Sequence, residues 1–220
     1  MRNIDLQHPA FYSLSLTDKE QLLRNSAILH FNKNEIIIKQ GSFITHIYYL
    51  LSGMAKVDYA IRNQNNTIRV VPEQRFIGLM YSFPGKHFEI RATAITSSEV
   101  LLIDIETFKT VLRTNGNFAL GILDTVSLTG SRIVGRLLTY HNKNIEGSLA
   151  AFLLQLYELY NKNTFVLPLS RKEVAETIGY TRESVVHSFS RFIKHGLISQ
   201  EGKIITLHNI EMLNEIMNKS

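Results

Sequence analysis

The stretch SRKEVAETIGYTRESVVHSFSRF (170–192) constrains the fold of this chain more than any other. Ser170 followed by Glu173 has the form of a capping box, and Val174, Ala175 and Ile178 recur behind it at helical spacing. Gly179 ends that helix and Thr181 caps the next, with only a tight turn between them, which predicts a helix-turn-helix. At 100° per residue the second helix gathers Val185, Val186, Phe189, Phe192 and Ile193 in one sector, with Glu183, Ser184, His187, Arg191 and Lys194 opposite. A helix that only filled a core would not need such a polar front. Downstream, GLISQEGKIITLHN reads as two short strands around Glu201-Gly202, a β-wing.

A major groove of double-stranded DNA admits one α-helix, whose first-turn residues meet base edges. Arg182 can donate twice to guanine, and Glu183 can accept from cytosine. The candidate DNA contacts are Ser170, Arg171, Lys172, Thr181, Arg182, Glu183, Ser184, His187 and Arg191, with Lys172 and Ser184 as phosphate contacts. The competing reading is a set of solvated charges on an ordinary small helical domain. Net charge does not decide between them. Residues 1–145 hold 16 Lys and Arg against 11 Asp and Glu, whereas residues 146–220 hold 8 against 8, so the +5 excess lies outside the candidate reader.

The rest of the chain divides by texture. Thr17 to Glu20 (TDKE) has capping-box form and predicts a short helix through Leu22 and Leu23. Residues 28 to 104 carry the short β-type runs ILHF, EIIIK, HIYYLL, AKVDYAI, TIRVV, IRATAIT and EVLLIDI, punctuated at NKN, QGS, SG, RNQNN and FPGK. That pattern predicts a sandwich or barrel closing on itself, a β-roll. Beyond Asp104 the pattern turns helical. From Ala119, steps of four and three residues reach Leu123, Val126, Gly130, Ile133, Leu137 and Tyr140, an a/d seam that wants a partner, either its own β domain or a second copy. HNKNIEG (141–147) looks like a hinge, LAAFLLQLYELY (149–160) a buried helix, and NKNTFVLPL (161–169) a loop with a short strand. The expected class is therefore α+β: a β-roll over 1–108, a long helix and hinge over 109–145, and a winged helix-turn-helix over 146–220, in which the resemblance given below implies that the roll binds an effector and the long helix serves dimerisation.

Several functions are excluded. Without cysteine there are no disulfides, no thiolate nucleophile and no iron–sulfur cluster. No stretch approaches the roughly 18 apolar residues of a membrane span, and the start, MRNIDLQHPAFY, lacks a secretory h-region, which predicts a cytoplasmic protein without a membrane partner. The eight His residues show no metal-binding spacing, and neither a hydrolase elbow nor a Gly-rich phosphate loop is present, so neither a metal site nor an enzyme is expected.

The order β-roll, long helix, winged helix-turn-helix, with the strings KQGSFITHIYYLLSGMAKV (39–57), RFIGLM (75–80) and LSRKEVAETIGYTRESVVHSFSRFIKHGLI (169–198), resembles the bacterial family of the cyclic-AMP receptor protein and FNR. The resemblance implies a homodimeric transcription regulator joined through its long helix, binding two-fold DNA sites in response to a small-molecule effector in the β-roll, with RNA polymerase as a further partner. Arg182 and Glu183 match the family's base-reading pair and Thr181 its capping residue, while His187 replaces an Arg. The alternative is a ligand-binding adaptor whose helix-turn-helix docks protein.

The effector end departs from the cyclic-AMP pattern. Gly78 is followed by Leu79 instead of Glu, and an ungapped alignment puts Phe88-Glu89 where the phosphate-holding Arg-Ser or Arg-Thr pair belongs. The expected pocket is Gly78, Leu79, Met80, Tyr81, Phe88, Glu89 and Arg91, with Leu137 and Tyr140 from the long helix, and it suits a largely apolar or aromatic molecule whose single acidic group could be held by Lys86, His87 or Arg91. A pocket filled by its own side chains is the other possibility. Haem held by His87, Met80 or Tyr81 is a further option. Residues 91–117 are also similar to the branch of halorespiration regulators, which sense chlorinated aromatic acids.

Overall fold

The computed structural model of the chain describes residues 4–61 and 64–219. Positions 62 and 63 of the turn expected at RNQNN, and the first three of the N-terminal stretch, lie outside the described residues. Contacts divide the chain into two compact units, Met1–Ile133 and Val134–Ser220. Among the described residues no helix is long and apolar enough to cross a membrane.

The first unit begins with a 3-10 turn, Pro9–Ser13, capped by His8, whose Nδ1 accepts from the Ala10 amide at 3.2 Å. Helix α1 (Leu16–Arg24) follows, and its cap corrects the sequence expectation. Ser15 and Asp18 form the reciprocal box, because Ser15 has the extended backbone a cap requires whereas Thr17 already lies inside the helix.

Each predicted β run contains a strand: β1 (Ser26–Phe31), β2 (Ile36–Ile38), β3 (His46–Ser52), β4 (Met54–Ile61) and β5 (Gln64–Pro72), then, after β6 (Arg75–Ile77), β7 (Ile90–Ala94) and β8 (Ser98–Asp104). They form two antiparallel four-stranded sheets, β1-β8-β3-β6 and β2-β7-β4-β5. Strand β8 of the first sheet is buried on both faces, which is why EVLLIDI reads as a continuous apolar run. Val100 and Leu102 join the cluster holding Ala55, Val57, Ile90 and Ala92 of the second sheet, whereas Leu101 and Ile103 join Phe11, Leu22, Phe108 and Phe118. In that second cluster the buried Tyr49 hydroxyl donates to Gln74 Oε1 at 2.7 Å and accepts from the His8 amide.

Helix α2 (Ile105–Thr114) is capped by Asp104 and separated from α3 (Gly116–His141) by Asn115, whose Oδ1 accepts from the Phe118 amide. The two sides of α3 differ. Phe118, Ile122 and Val126 pack on the β-roll core, and Thr125, Thr129 and Ile133 continue that side. Leu120, Leu123, Leu128, Val134, Leu137 and Leu138 are exposed on the other. The predicted seam is therefore out of register. Leu123 and Leu137 do face outward, but Val126 and Ile133 turn toward the roll, and the outward line runs through Leu120, Leu123, Ser127, Gly130, Val134 and Leu137. Both sides are apolar, so spacing alone admits either line.

In the second unit, α4 (Ile145–Tyr160) is capped by Asn144 and is buried through most of its length. Around it lie β9 (Thr164–Val166), α5 (Arg171–Ile178), α6 (Arg182–Lys194), β10 (Ile198–Glu201), β11 (Ile204–Leu207) and α7 (Ile210–Lys219). The wing is a three-stranded sheet, β10-β11-β9.

Candidate DNA-reading helix and ligand cavity

The local signals in residues 170–184 act as the residue chemistry requires. Ser170 and Glu173 form a reciprocal capping box on α5. Gly179 closes α5 with φ 80°, a left-handed conformation that a side chain would strain. Thr181 Oγ1 then accepts from the Ser184 amide at 3.2 Å and starts α6. Behind α6, Val185, Ser188, Phe189 and Phe192 are buried, while Arg182, Glu183 and His187 are exposed. The buried stripe is narrower than predicted, because Val186 and Ile193 fall at its edge and remain 42% and 41% exposed.

Two predicted DNA contacts have packing partners of their own. The Arg171 guanidinium lies 3.3 Å from the Phe189 ring centroid and donates to Gln200, and burial lowers its pKa to about 10 while leaving it charged near neutrality. It braces α5 against α6 and the wing. Arg191 Nη1 lies 2.7 Å from Glu146 Oε1, tying α6 to the start of α4, although its side chain stays mostly exposed. Ser184 is half-buried and its Oγ accepts from the Thr181 hydroxyl, whereas Lys172 is exposed beside Glu176.

The first unit holds a cavity of about 30 Å³, lined by His8, Val57, Ile68, Arg69, Val71, Arg75, Phe76, Gly78, Leu79, Met80, Tyr81, Thr125, Val126, Thr129 and Ile133. Four predicted pocket residues are here: Gly78, Leu79, Met80 and Tyr81. Gly78 opens the short 3-10 turn Leu79–Tyr81 at φ 66°, where an added Cβ would come within 3.0 Å of Ile90.

The other five predicted pocket residues lie elsewhere. Phe88 is buried between the sheets, and Glu89 is on the surface, accepting from the Tyr59 hydroxyl. Arg91 alternates with Ile90 and Ala92, which point inward, so it lies on the opposite sheet face against buried Asp58, 3.4 Å away. Asp58 also accepts from Thr67 at 2.7 Å and sits 3.6 Å from Lys56. Tyr140 belongs to the second unit, where its hydroxyl donates to Gln155 and burial pushes its pKa up, and Leu137 is exposed.

Sequence reasoning missed His8, Arg69, Arg75, Thr125 and Thr129. A β-bulge brings Arg69 in. Val57 pairs with Arg69 but Asp58 with Thr67, so Ile68 is an extra residue that breaks the alternation and turns Arg69 to the Val57 face. There its Nη1 donates to Thr129 Oγ1 on α3 at 3.2 Å. Among the described residues lining the cavity none is an Asp or Glu. Burial, then Arg75 and Arg69, lower the His8 pKa from 6.5 to about 4.

Of the three expected haem ligands, Met80 and Tyr81 line the cavity, whereas His87 packs on Phe43 at an exposed loop outside it. Among the described residues no three His, Asp or Glu gather as a metal site.

A β-roll with an internal cavity and a winged helix-turn-helix on one chain define a class, the ligand-responsive DNA-binding regulators. Residues 28–115 match the cyclic nucleotide-binding domain model and residues 147–216 the Crp-like helix-turn-helix domain model. The chain belongs to the CRP/FNR family of transcription regulators, with an effector-binding domain and a DNA-binding helix-turn-helix. It is similar to the fumarate nitrate reduction regulatory protein of Klebsiella oxytoca, 24% identical over 86% of this chain and 77% of that protein. It is also 25% identical to the global nitrogen regulator of Nostoc, over 81% of this chain and 83% of that one. Among solved structures, FixK2 from Bradyrhizobium japonicum shares the fold with a TM-score of 0.79 at 18% identity, covering 87% of this chain and 96% of that one. A CooA mutant from Carboxydothermus hydrogenoformans gives 0.74 at 18%, covering 99% and 97%.

Proposed function

We propose that two copies of this chain join along the outward side of α3, bind a two-fold symmetric DNA site through their α6 helices, and respond to a small molecule other than cyclic AMP held in the β-roll cavity. The observation that carries this reading is the two-sided α3. One side is occupied by its own β-roll, while the other leaves Leu120, Leu123, Val134 and Leu137 exposed in line, with Ser127 and Gly130 small enough for close helix approach. Arg182, Glu183 and His187 are the base readers, Lys172 and Ser184 contact phosphate, and RNA polymerase is the further partner.

What speaks against cyclic AMP is charge placement. Leu79 follows Gly78, and Arg91, the nearest candidate for a phosphate clamp, is engaged by Asp58 on the other face of its sheet. A ligand at 100 times its dissociation constant adds about 2.7 kcal/mol of stability, so a thermal-shift titration has ample range. Cyclic AMP should leave the melting temperature unchanged. Selection from a random duplex pool with the full chain tests the DNA reading and should return an inverted repeat with half-sites one helical turn, or a multiple of it, apart. Enriched asymmetric sites, or no enrichment, would contradict it.

A further inference from the structure

A carboxylate stands beside the reading helix, paired with one of its exposed cations. Resting on the reading of α6 as the helix that enters the groove, we infer that Glu146, at the start of α4, competes with DNA phosphate for Arg191 and so lowers the affinity for every duplex alike.

Arg191 is placed to meet a phosphate. At 100° per residue the outward sector of α6 centres on Glu183, His187 and Lys194, and Arg191 lies on its flank, two turns beyond Ser184. A helix in a major groove is walled by the two phosphate backbones, so its flank faces phosphate while its centre faces base edges. The Arg191 side chain is 65% exposed, whereas Phe192 beside it is buried. The guanidinium can therefore turn while its backbone stays fixed.

Glu146 holds that guanidinium by charge more than by a directed bond. Arg191 Nη1 and Glu146 Oε1 approach to 2.7 Å, yet Oε1 is buried and accepts no hydrogen bond. A phosphate offers the same group two oxygens in line with paired N–H groups, which is the stronger arrangement. The carboxylate does not depend on Arg191 for its place. It lies in the first turn of α4, where Asn144 Oδ1 accepts from the Glu146 amide and the helix end favours negative charge. Arg191 can thus leave while Glu146 stays, at the cost of a buried carboxylate oxygen left without its cation. That cost is the same on any sequence, because phosphates carry no base identity.

The test compares the full wild-type chain with Glu146→Gln, Arg191→Gln and the double variant, on the selected inverted repeat and on a scrambled duplex, over a range of potassium chloride concentrations. Melting temperatures show that each protein is folded, and Glu146→Ala repeats the measurement should Gln be poorly tolerated. Glu146→Gln should tighten both duplexes by about 2- to 10-fold and leave their ratio unchanged. Arg191→Gln should weaken both and make log affinity against log salt shallower by about 0.9 per copy. In the double variant the gain from Glu146→Gln should shrink to less than about twofold. Unchanged or weaker binding by both Glu146 variants would make the pair a brace and overturn the inference, as would an Arg191→Gln slope equal to that of wild type. A gain that survives in the double variant overturns it too, since repulsion by the carboxylate would then suffice. Wild-type protein that does not prefer the selected repeat removes the reading of α6 together with this inference, whereas the other failures leave that reading in place.

Discussion

The DNA-reading surface and the cavity are built in opposite ways. Every base-reading candidate on α6 lies within one helix whose start is set by its neighbours: Gly179 stops α5, Thr181 caps α6, and Phe189 and Phe192 anchor the back. The cavity draws on His8, on Arg69 and Arg75, on Gly78 to Tyr81 and on one side of α3, brought together by strand register and an N-terminal turn. A surface assembled locally can change one reader without moving the others. In a cavity assembled from distant segments, a register feature such as the extra residue at Ile68 decides whether a side chain such as that of Arg69 takes part.

The largest effect is expected on the outward side of α3. Leu123→Asp with Val134→Asp places two charges on the outward side, where each apolar residue would bury about 1.5–3 kcal/mol in a paired state. The protein should sediment as a monomer and lose about 100-fold or more in DNA affinity, since two linked half-sites bind far more tightly than either alone. Val126→Asp, on the roll-facing side, should instead lower the melting temperature of the first unit. If the outward variant stays dimeric, the comparison of the two sides fails.

A smaller effect sharpens the cavity half. The unfolded chain protonates its His8 near pH 6.5, whereas the folded chain resists until about 4, so acidification between those values favours unfolding by up to about 3 kcal/mol. Above pH 7 this group contributes no slope. His8→Asn retains an acceptor for the Ala10 amide and should flatten the pH dependence in urea titrations across that window. Parallel slopes for both proteins would mean that His8 is not held neutral.

On the reading surface, Arg182→Ala should cost about 1–3 kcal/mol and relax preference at one symmetric pair of guanines. Sequence logos from wild type and variant should differ only there. Smallest are the caps: Ser15→Ala and Ser170→Ala should each destabilise their own unit by about 1 kcal/mol, and calorimetry can assign each loss to a unit.

These contrasts explain what was legible in the sequence. Capping box, glycine turn and wing are short-range, so 170–207 was placed nearly residue by residue, as were most strands of the roll. The first helix is where the sequence puts it, through Leu22 and Leu23, but its cap lies two residues earlier, because Ser15-Asp18 and Thr17-Glu20 both have box form and backbone geometry favours the former. The seam shifted because both sides of α3 are apolar. Arg91 is expected in the pocket for the cation it could offer an acidic group, but alternation with the buried Ile90 and Ala92 turns it outward. Nothing local marks Arg69 as a cavity residue, since the bulge that turns it exists only in the pairing of β4 with β5.

Native mass spectrometry of the wild-type chain on its selected duplex tests the central claim most directly. Two copies should bind the full inverted repeat together, with a single half-site held far more weakly and the protein dimeric before DNA is added. One copy per duplex, with equal affinity for the half-site, would contradict the account.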